Sequence, residues 1–282
     1  MRLLTLLSMT LVVLFIAAGC SDDNSTSPGT VDGNGTLKMY MTDAPGDYEA
    51  VNVTISSVSV HYADGTEDTE GEEVEGEEEA PAKAAVTDGS WLAVSSEAVT
   101  IDLLTLANGA TLMLGTTELA AGQYTQVRLT VESAEVVIDG ESIPLTVPSS
   151  NIKLIHPFTV EADAVTELVI DFDADRSIHV TGGSNSKYMM NPTIRIAEVV
   201  LSGGITGTVS EPEEGMSASA YYGDELVTTS TVDAETGMFT LAFLPQGTYT
   251  VVVTNAAEEE ITVNDVAVTA GNTTDVGTLA FE

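Results

Sequence analysis

The sequence predicts an all-β protein built as two tandem β-sandwich domains, and three observations carry that expectation. Apolar and polar residues alternate with period 2 along most of the chain, and no window longer than a few residues shows the 3.6-residue period of a helix. Short strands recur in the C-terminal part with Gly-, Pro- and Asp-containing turns between them. The chain has 282 residues, of which 43% are hydrophobic, with a mean hydropathy of +0.17. That length suits about two domains, and that composition suits real cores rather than an acidic disordered polymer.

Charge excludes several partners. The sequence holds 44 Asp and Glu against 8 Lys and Arg, a formal charge of −36. Nucleic acid and anionic membrane surfaces need clustered cations, so neither is expected as a partner. One Cys and three His leave little material for thiol chemistry, zinc cages or His-based triads. The same acid excess also suits a protein adapted to high salt, where self-repulsion is screened.

The N-terminus reads as an export signal. Arg2 precedes an apolar run from Leu3 to Ile16, followed by Ala17-Ala18-Gly19-Cys20. A basic residue, a short apolar stretch and small residues before a cleavage point describe a secretory signal peptide, and the run is too short to span a bilayer. Small residues directly before a Cys resemble a bacterial lipobox. That resemblance implies a cleaved lipoprotein signal peptide over residues 1–19, with Cys20 as the lipidated first residue of the mature chain and the membrane as partner through its lipid anchor. Ser21 after the Cys, by resemblance to sorting rules, favours the outer membrane, and Asp22-Asp23 looks like the acidic tag of surface lipoproteins. The expected location is the cell envelope, lipid-anchored in the outer membrane and facing the surface. Residues 20–35 are small and polar, a flexible tether with a reach of roughly 20 Å. Without a second Cys no internal disulfide forms, so the domains must stand on packing alone.

Residues 36–200 read as the first sandwich. Leu37, Met39 and Met41 share one strand face. Val51, Val53 and Ile55 share another, continued by Val58, Val60 and Tyr62 with the parity switched, which predicts a β-bulge at Ser56-Ser57. Val127, Leu129 and Val131 give way to Ala134, Val136 and Ile138 in the same manner near Glu132-Ser133. Further strands read at 143–147, 158–160, 168–172, 178–180 and 194–200, and the apolar stretch 101–106 is either a buried strand or a helical turn. Between Tyr62 and Trp91 the pattern stops. Residues 64–79 carry ten acidic side chains and no basic one, a solvated insertion within 63–90. It reads as a solubilising loop or, alternatively, as a weak calcium sink.

Residues 204–282 read as the second, smaller sandwich. Seven or eight short strands fall in fewer than 80 residues, the density of such a fold. They read at 205–209, 218–222, 227–232, 238–243, 249–254, 261–263, 266–268 and 276–281, with turns at Asp233–Gly237 and Leu244–Gly247.

Two resemblances accompany this reading. Gly237-Met238-Phe239 and Leu244-Pro245-Gln246-Gly247-Thr248-Tyr249-Thr250-Val251 resemble the carboxypeptidase-regulatory-like, or transthyretin-like, sandwich module, which implies a fold and no ligand. Met41-Thr42-Asp43-Ala44-Pro45, Ile101-Asp102-Leu103-Leu104 to Asn108-Gly109, Ala121-Gly122-Gln123-Tyr124 through Arg128-Leu129, and Asp171-Phe172-Asp173-Ala174-Asp175-Arg176-Ser177-Ile178 together look like the family called domain of unknown function 4382. That family is typical of bacterial and archaeal lipoproteins and implies no activity.

The sharpest chemical candidate is the acidic run. In a strand, Asp171, Asp173 and Asp175 would share a face, where repulsion favours a cation or an arginine among them. A calcium ion held by these three, completed by Asp43 or Asp47, is one reading. The spacing departs from the EF-hand, because Arg176 and Gly182 stand where that loop needs Gly and Glu. The plainer alternative is a strand ending in an Asp-rich turn, neutralised by Arg176, Arg128 or Arg195. Asp43 to Asp47 reads first as a turn and second as part of a ligand pocket. His61, His156 and His179 lack neighbours at ligand spacing. No nucleophile motif accompanies the many Ser and Thr. The expected function is a non-catalytic surface module that binds a protein or glycan partner and needs no cofactor. Its rivals are a calcium-stabilised structural protein and a hydrolase with an acidic active site.

Overall fold

The computed structural model describes residues 33–44, 46, 48–63, 89–181 and 187–281. Among these the protein is an all-β sandwich fold with two hydrophobic cores. Cys20, Asp47 and the acidic stretch 64–79 lie outside the described residues.

The first core lies between two sheets. One contains β1 (Asn34–Ala44), β5 (Leu112–Ala120), β9 (Val165–Asp173) and β12 (Thr193–Glu198), in the order β12-β9-β1-β5. The other has six strands: β2 (Ala50–Tyr62), β3 (Trp91–Ser95), β4 (Val99–Asp102), β6 (Gly122–Ile138), β7 (Glu141–Pro144) and β8 (Asn151–Val160). In it, β3 and β4 pair successive parts of β2, while β7 and β8 pair successive parts of β6. Alternation sends Leu37, Met39 and Met41 inward from β1, against Val51, Val53, Val127, Leu129 and Phe172, all fully buried. Both expected bulges are present. The ladder between β2 and β6 shifts register at Ile55 to Ser57 and again where Glu132 is the extra residue opposite Thr54 and Ile55. Each bulge restores the apolar face after the parity switch that the sequence displays.

The second core is bounded by β13 (Ser202–Val209), β16 (Met238–Pro245) and β19 (Thr273–Leu279) on one side, in the order β16-β13-β19. Facing them are β14 (Ser217–Tyr222), β15 (Glu225–Thr231), β17 (Gly247–Thr254) and β18 (Glu260–Val268), in the order β15-β14-β17-β18. Where the sequence suggests two strands at 261–263 and 266–268, the chain runs as the single strand β18. Asn264 and Asp265 oppose Thr250 alone, and Asp265 takes φ +59°, so a bulge breaks the pattern without ending the strand.

Other differences have local causes. The ambiguous stretch 101–106 is both of its alternatives: β4 ends at Asp102, whose carboxylate accepts from the Leu104 N–H and caps a 3-10 turn over Leu103–Leu106. β12 ends earlier than expected, because Val199–Leu201 form a second 3-10 turn leading into β13. β3, β5 and the strand Lys187–Met190 have no counterpart among the expected strands; β5 carries Gly115-Thr116-Thr117-Glu118 in place of a clean alternation.

Candidate functional site

The acidic run sits at the C-terminal end of β9, but it does not form one acidic face. The strand stops at Asp173, and Ala174–Ser177 make a single helical turn, α1. Asp173 caps that turn, its Oδ1 accepting from the Arg176 N–H at 2.9 Å, and Arg176 stands 3.7 Å from its other oxygen. Burial pushes the Asp173 carboxyl up from its ordinary range, opposed by the Arg176 N–H and guanidinium. Asp175 lies on the turn, exposed. Asp171 is buried and ion-paired with Arg195, which stands opposite it across the β9–β12 ladder. The arrangement therefore has the geometry of an Asp-rich turn with arginine partners. Arg128, one of the cations expected to serve here, lies instead on the six-stranded sheet. Among the described residues no three His, Cys, Asp or Glu side chains converge as a metal-holding group.

Asp43 reaches this corner from the neighbouring strand. β1 and β9 run parallel, with Asp43 beside Phe172 and Thr42 beside Asp171. Asp43 is only 4% exposed; its Oδ1 accepts from the Ala174 N–H at 3.0 Å, while Oδ2 has no hydrogen-bond partner. Burial pushes its carboxyl up to about 9, opposed by the Ala174 N–H and reinforced by the negative charges of Asp171, Asp173 and Asp102. A carboxyl with that value is protonated near neutral pH, so Asp43 stands in the core as a neutral acid.

The corner is also where the two cores meet. Arg195 donates to the carbonyl of Phe243 at 2.6 Å while it pairs with Asp171, so one guanidinium ties β9 to β16. Phe243 has φ +53°, at an irregularity in the β13–β16 ladder. Asn108 donates to Thr231 at 3.2 Å across the same seam. Between these contacts lies a cavity of about 10 Å³ lined by Thr42, Asp171, Thr228, Ser230 and Thr240, room for roughly one water.

A shallow groove of about 550 Å³ opens elsewhere, lined by Pro157, Val165, Val200 and Leu201 together with Glu161 and Glu198. His156, on β8 beside this groove, has its imidazole held below the ordinary range by burial, against the pull of Glu198. His179 is exposed on the strand Ile178–Thr181, β10. His61 is part of a cluster that was not foreseen. Its ring meets Trp91 edge-on at 5.0 Å, and the Arg128 guanidinium lies 3.6 Å from the Trp91 ring centroid. These residues stand far apart in sequence, and only the pairing of β3, β2 and β6 brings them together.

The family model described as domain of unknown function 4382 matches residues 34–192, more than half of the chain. The chain belongs to this family. The match spans β1 through the strand Lys187–Met190, β11, and so covers Asp43, the run 171–177 and the Trp91 cluster of this domain of unknown function 4382 protein, while Arg195 lies beyond it. No curated protein matches the chain. Solved structures similar to it, pilins among them, share low identity with it. The TIE protein of Bacillus anthracis is 13% identical, with 89% of this chain and 34% of that one covered and a TM-score of 0.23. The minor pilin of Streptococcus agalactiae is 10% identical over 86% and 94% of the two chains, with a TM-score of 0.21. The major pilin subunit of Bacillus cereus is 11% identical over 88% and 99%, with a TM-score of 0.18. The domain of unknown function 4382 protein thus spans about a third of the length of the Bacillus anthracis protein. Among the described residues, no helix is long and apolar enough to cross a membrane.

Proposed function

We propose that this protein is a lipid-anchored module of the cell envelope that binds a partner without catalysing a reaction. The observation that carries the proposal is the sequence Ala17-Ala18-Gly19-Cys20 closing the apolar run, with Cys20 the sole cysteine of the chain. Lipidation there would hold the protein on the outer membrane by its N-terminus, with residues 20–35 as spacer. The state of the acidic corner supports a non-catalytic role. Asp171 is occupied by Arg195, Asp173 by the turn it caps, and Asp43 is buried beneath the surface. A carboxylate pair for hydrolysis needs open access to both groups, which this corner does not offer. We read residues 204–282 as a carboxypeptidase-regulatory-like module, on the phrase from Gly237 to Val251, adding a second sandwich to the displayed surface.

Metabolic labelling with a palmitate analogue in a Gram-negative host tests the anchor. Wild type is expected to incorporate label and partition with outer membranes, and Cys20→Ser to lose both. An unlabelled wild-type chain would sink the proposal.

A further inference from the structure

We infer that the outer face of the six-stranded sheet, centred on Trp91, Arg128 and Lys153, binds an acidic glycan. This deepens the proposed function by naming the partner's chemistry and rests on that reading.

Strand register defines the face. Across β3, β2, β6 and β8, Trp91 pairs with His61, His61 with Gln126, and Gln126 with Ile155. The next outward row runs Ala93, Ser59, Arg128, Lys153, and the row after it contains Ser57, Thr130 and Asn151. Residues paired in an antiparallel ladder point to the same side, and the interleaved Val58, Val60, Val127 and Leu129 are buried in the core. None of these eleven outward positions is Asp or Glu; the nearest outward carboxylates of β6, Glu132 and Glu135, lie beyond Thr130.

The cations of the face lack carboxylate partners. Lys38 pairs with Glu167, Arg176 with Asp173 and Arg195 with Asp171, whereas Arg128 and Lys153 stand in register with no ion pair among the described residues. The Arg128 Nε is buried without a hydrogen-bond partner beside Trp91. The face thus presents two cations without carboxylate partners on a strongly negative molecule, and charge complementarity favours an anionic occupant there.

The remaining chemistry favours sugar over protein. Protein docking uses several buried apolar anchors, and here only Ile155, 84% exposed, is a large exposed aliphatic. The other side chains are hydroxyls and amides spaced along the sheet, suited to sugar hydroxyls, and the one Trp of the chain holds the Arg128 guanidinium over its ring, where it reports on an occupant of the face. Arg128 and Lys153 then take the acidic substituents, carboxylate or phosphate.

The test uses the full-length chain in detergent micelles with polygalacturonate, against neutral dextran and poly-L-glutamate, read by Trp91 fluorescence at low salt. Polygalacturonate is expected to shift the Trp91 signal and to bind at least roughly tenfold more weakly to Lys153→Glu, an exposed position whose change leaves the core intact. Lys187→Glu, a cation on β11, is expected to bind as wild type. No shift with polygalacturonate, an equal response to dextran or poly-L-glutamate, or an unaffected Lys153→Glu variant would each overturn the inference. Lost glycan binding with palmitate labelling intact would refute the ligand alone, and lost labelling with glycan binding intact would refute the anchor alone.

Discussion

The two sandwiches are built on one strand plan and differ in what they put at its ends. In the first, β1 is flanked by antiparallel β5 and parallel β9; in the second, β13 is flanked by antiparallel β16 and parallel β19. The opposite sheets agree as well. β3 and β4, then β2, β6 and β8 follow the order of β15, β14, β17 and β18. Each has a tyrosine corner at the same place: the Tyr124 hydroxyl donates to the Ala120 carbonyl at 2.9 Å, and the Tyr249 hydroxyl to the Pro245 carbonyl at 2.7 Å. Each tyrosine also meets a second ring, Tyr62 in the first case and Tyr222 in the other. The first sandwich alone adds β7, β10, β11 and β12, and it alone buries carboxyl groups at the end of its parallel strand pair. The common plan carries the buried acids and the Trp91 cluster, and among the additions β12 supplies Arg195, the cation of the seam.

Arg195 is the sharpest way to break that comparison, because it joins the two halves. Replacing it with Ala leaves Asp171 buried without its guanidinium and the Phe243 carbonyl without its donor, a loss of about 2–5 kcal/mol. Trp91 fluorescence follows the first sandwich, and far-UV circular dichroism follows both. The two urea transitions are expected to coincide in wild type and to separate in Arg195→Ala. Coincident, unshifted transitions in the variant would show that the halves are held by other contacts.

The two corner glycines sharpen the comparison. A Cβ at Gly122 would lie 2.7 Å from the Tyr62 ring, which is buried, and the backbone there has φ +155°, a conformation L side chains rarely adopt. A Cβ at Gly247 would lie 2.9 Å from the ring of Tyr222, which is 56% exposed and has room to swing away. Gly122→Ala should therefore cost about 2–4 kcal/mol and Gly247→Ala under about 1 kcal/mol. Equal losses in thermal unfolding would mean that the two corners are equally rigid.

The most specific effect is a pH dependence that Asp43 gives the first sandwich. The Asp43 carboxyl titrates near 9 when folded and in the ordinary carboxylate range when unfolded. The folded state therefore holds the extra proton between those values, and stability falls as pH rises through that window. Asp43→Asn should raise the melting temperature at pH 8, by the equivalent of about 1–3 kcal/mol, with the difference shrinking toward pH 4. His156 acts in the opposite sense, because burial lowers its value and stability gained there rises with pH. Comparing Asp43→Asn with wild type at each pH removes that contribution. A gap that does not depend on pH would show that Asp43 is not a buried neutral acid.

Much of the fold was legible because period-2 alternation is a local property. The parity switches at Ser56-Ser57 and Glu132-Ser133 marked real bulges, since a buried face must be recovered after one extra residue. Strand β5 was not legible, because Gly115 to Glu118 give little apolar signal while edge pairing with β1 supplies its order. Of the candidate site, the Asp-rich turn and Arg195 were named in advance. The placement of Arg128 against Trp91 was not, because that contact depends on which strands become neighbours.

The sequence by itself determined the strand content, the inward faces, the two bulges and the excess of acid, because each is written in residue order and composition. Tertiary structure alone decided that Gly122-Gln123-Tyr124 and Gly247-Thr248-Tyr249 are the same corner built twice, that Arg195 spans the seam, and that a carboxylate-free patch gathers Arg128, Lys153 and Trp91. The physical reason is distance along the chain. Strand register and sheet order are fixed by how two apolar faces close on one another, and neighbours across a sheet carry no mark of one another in the sequence.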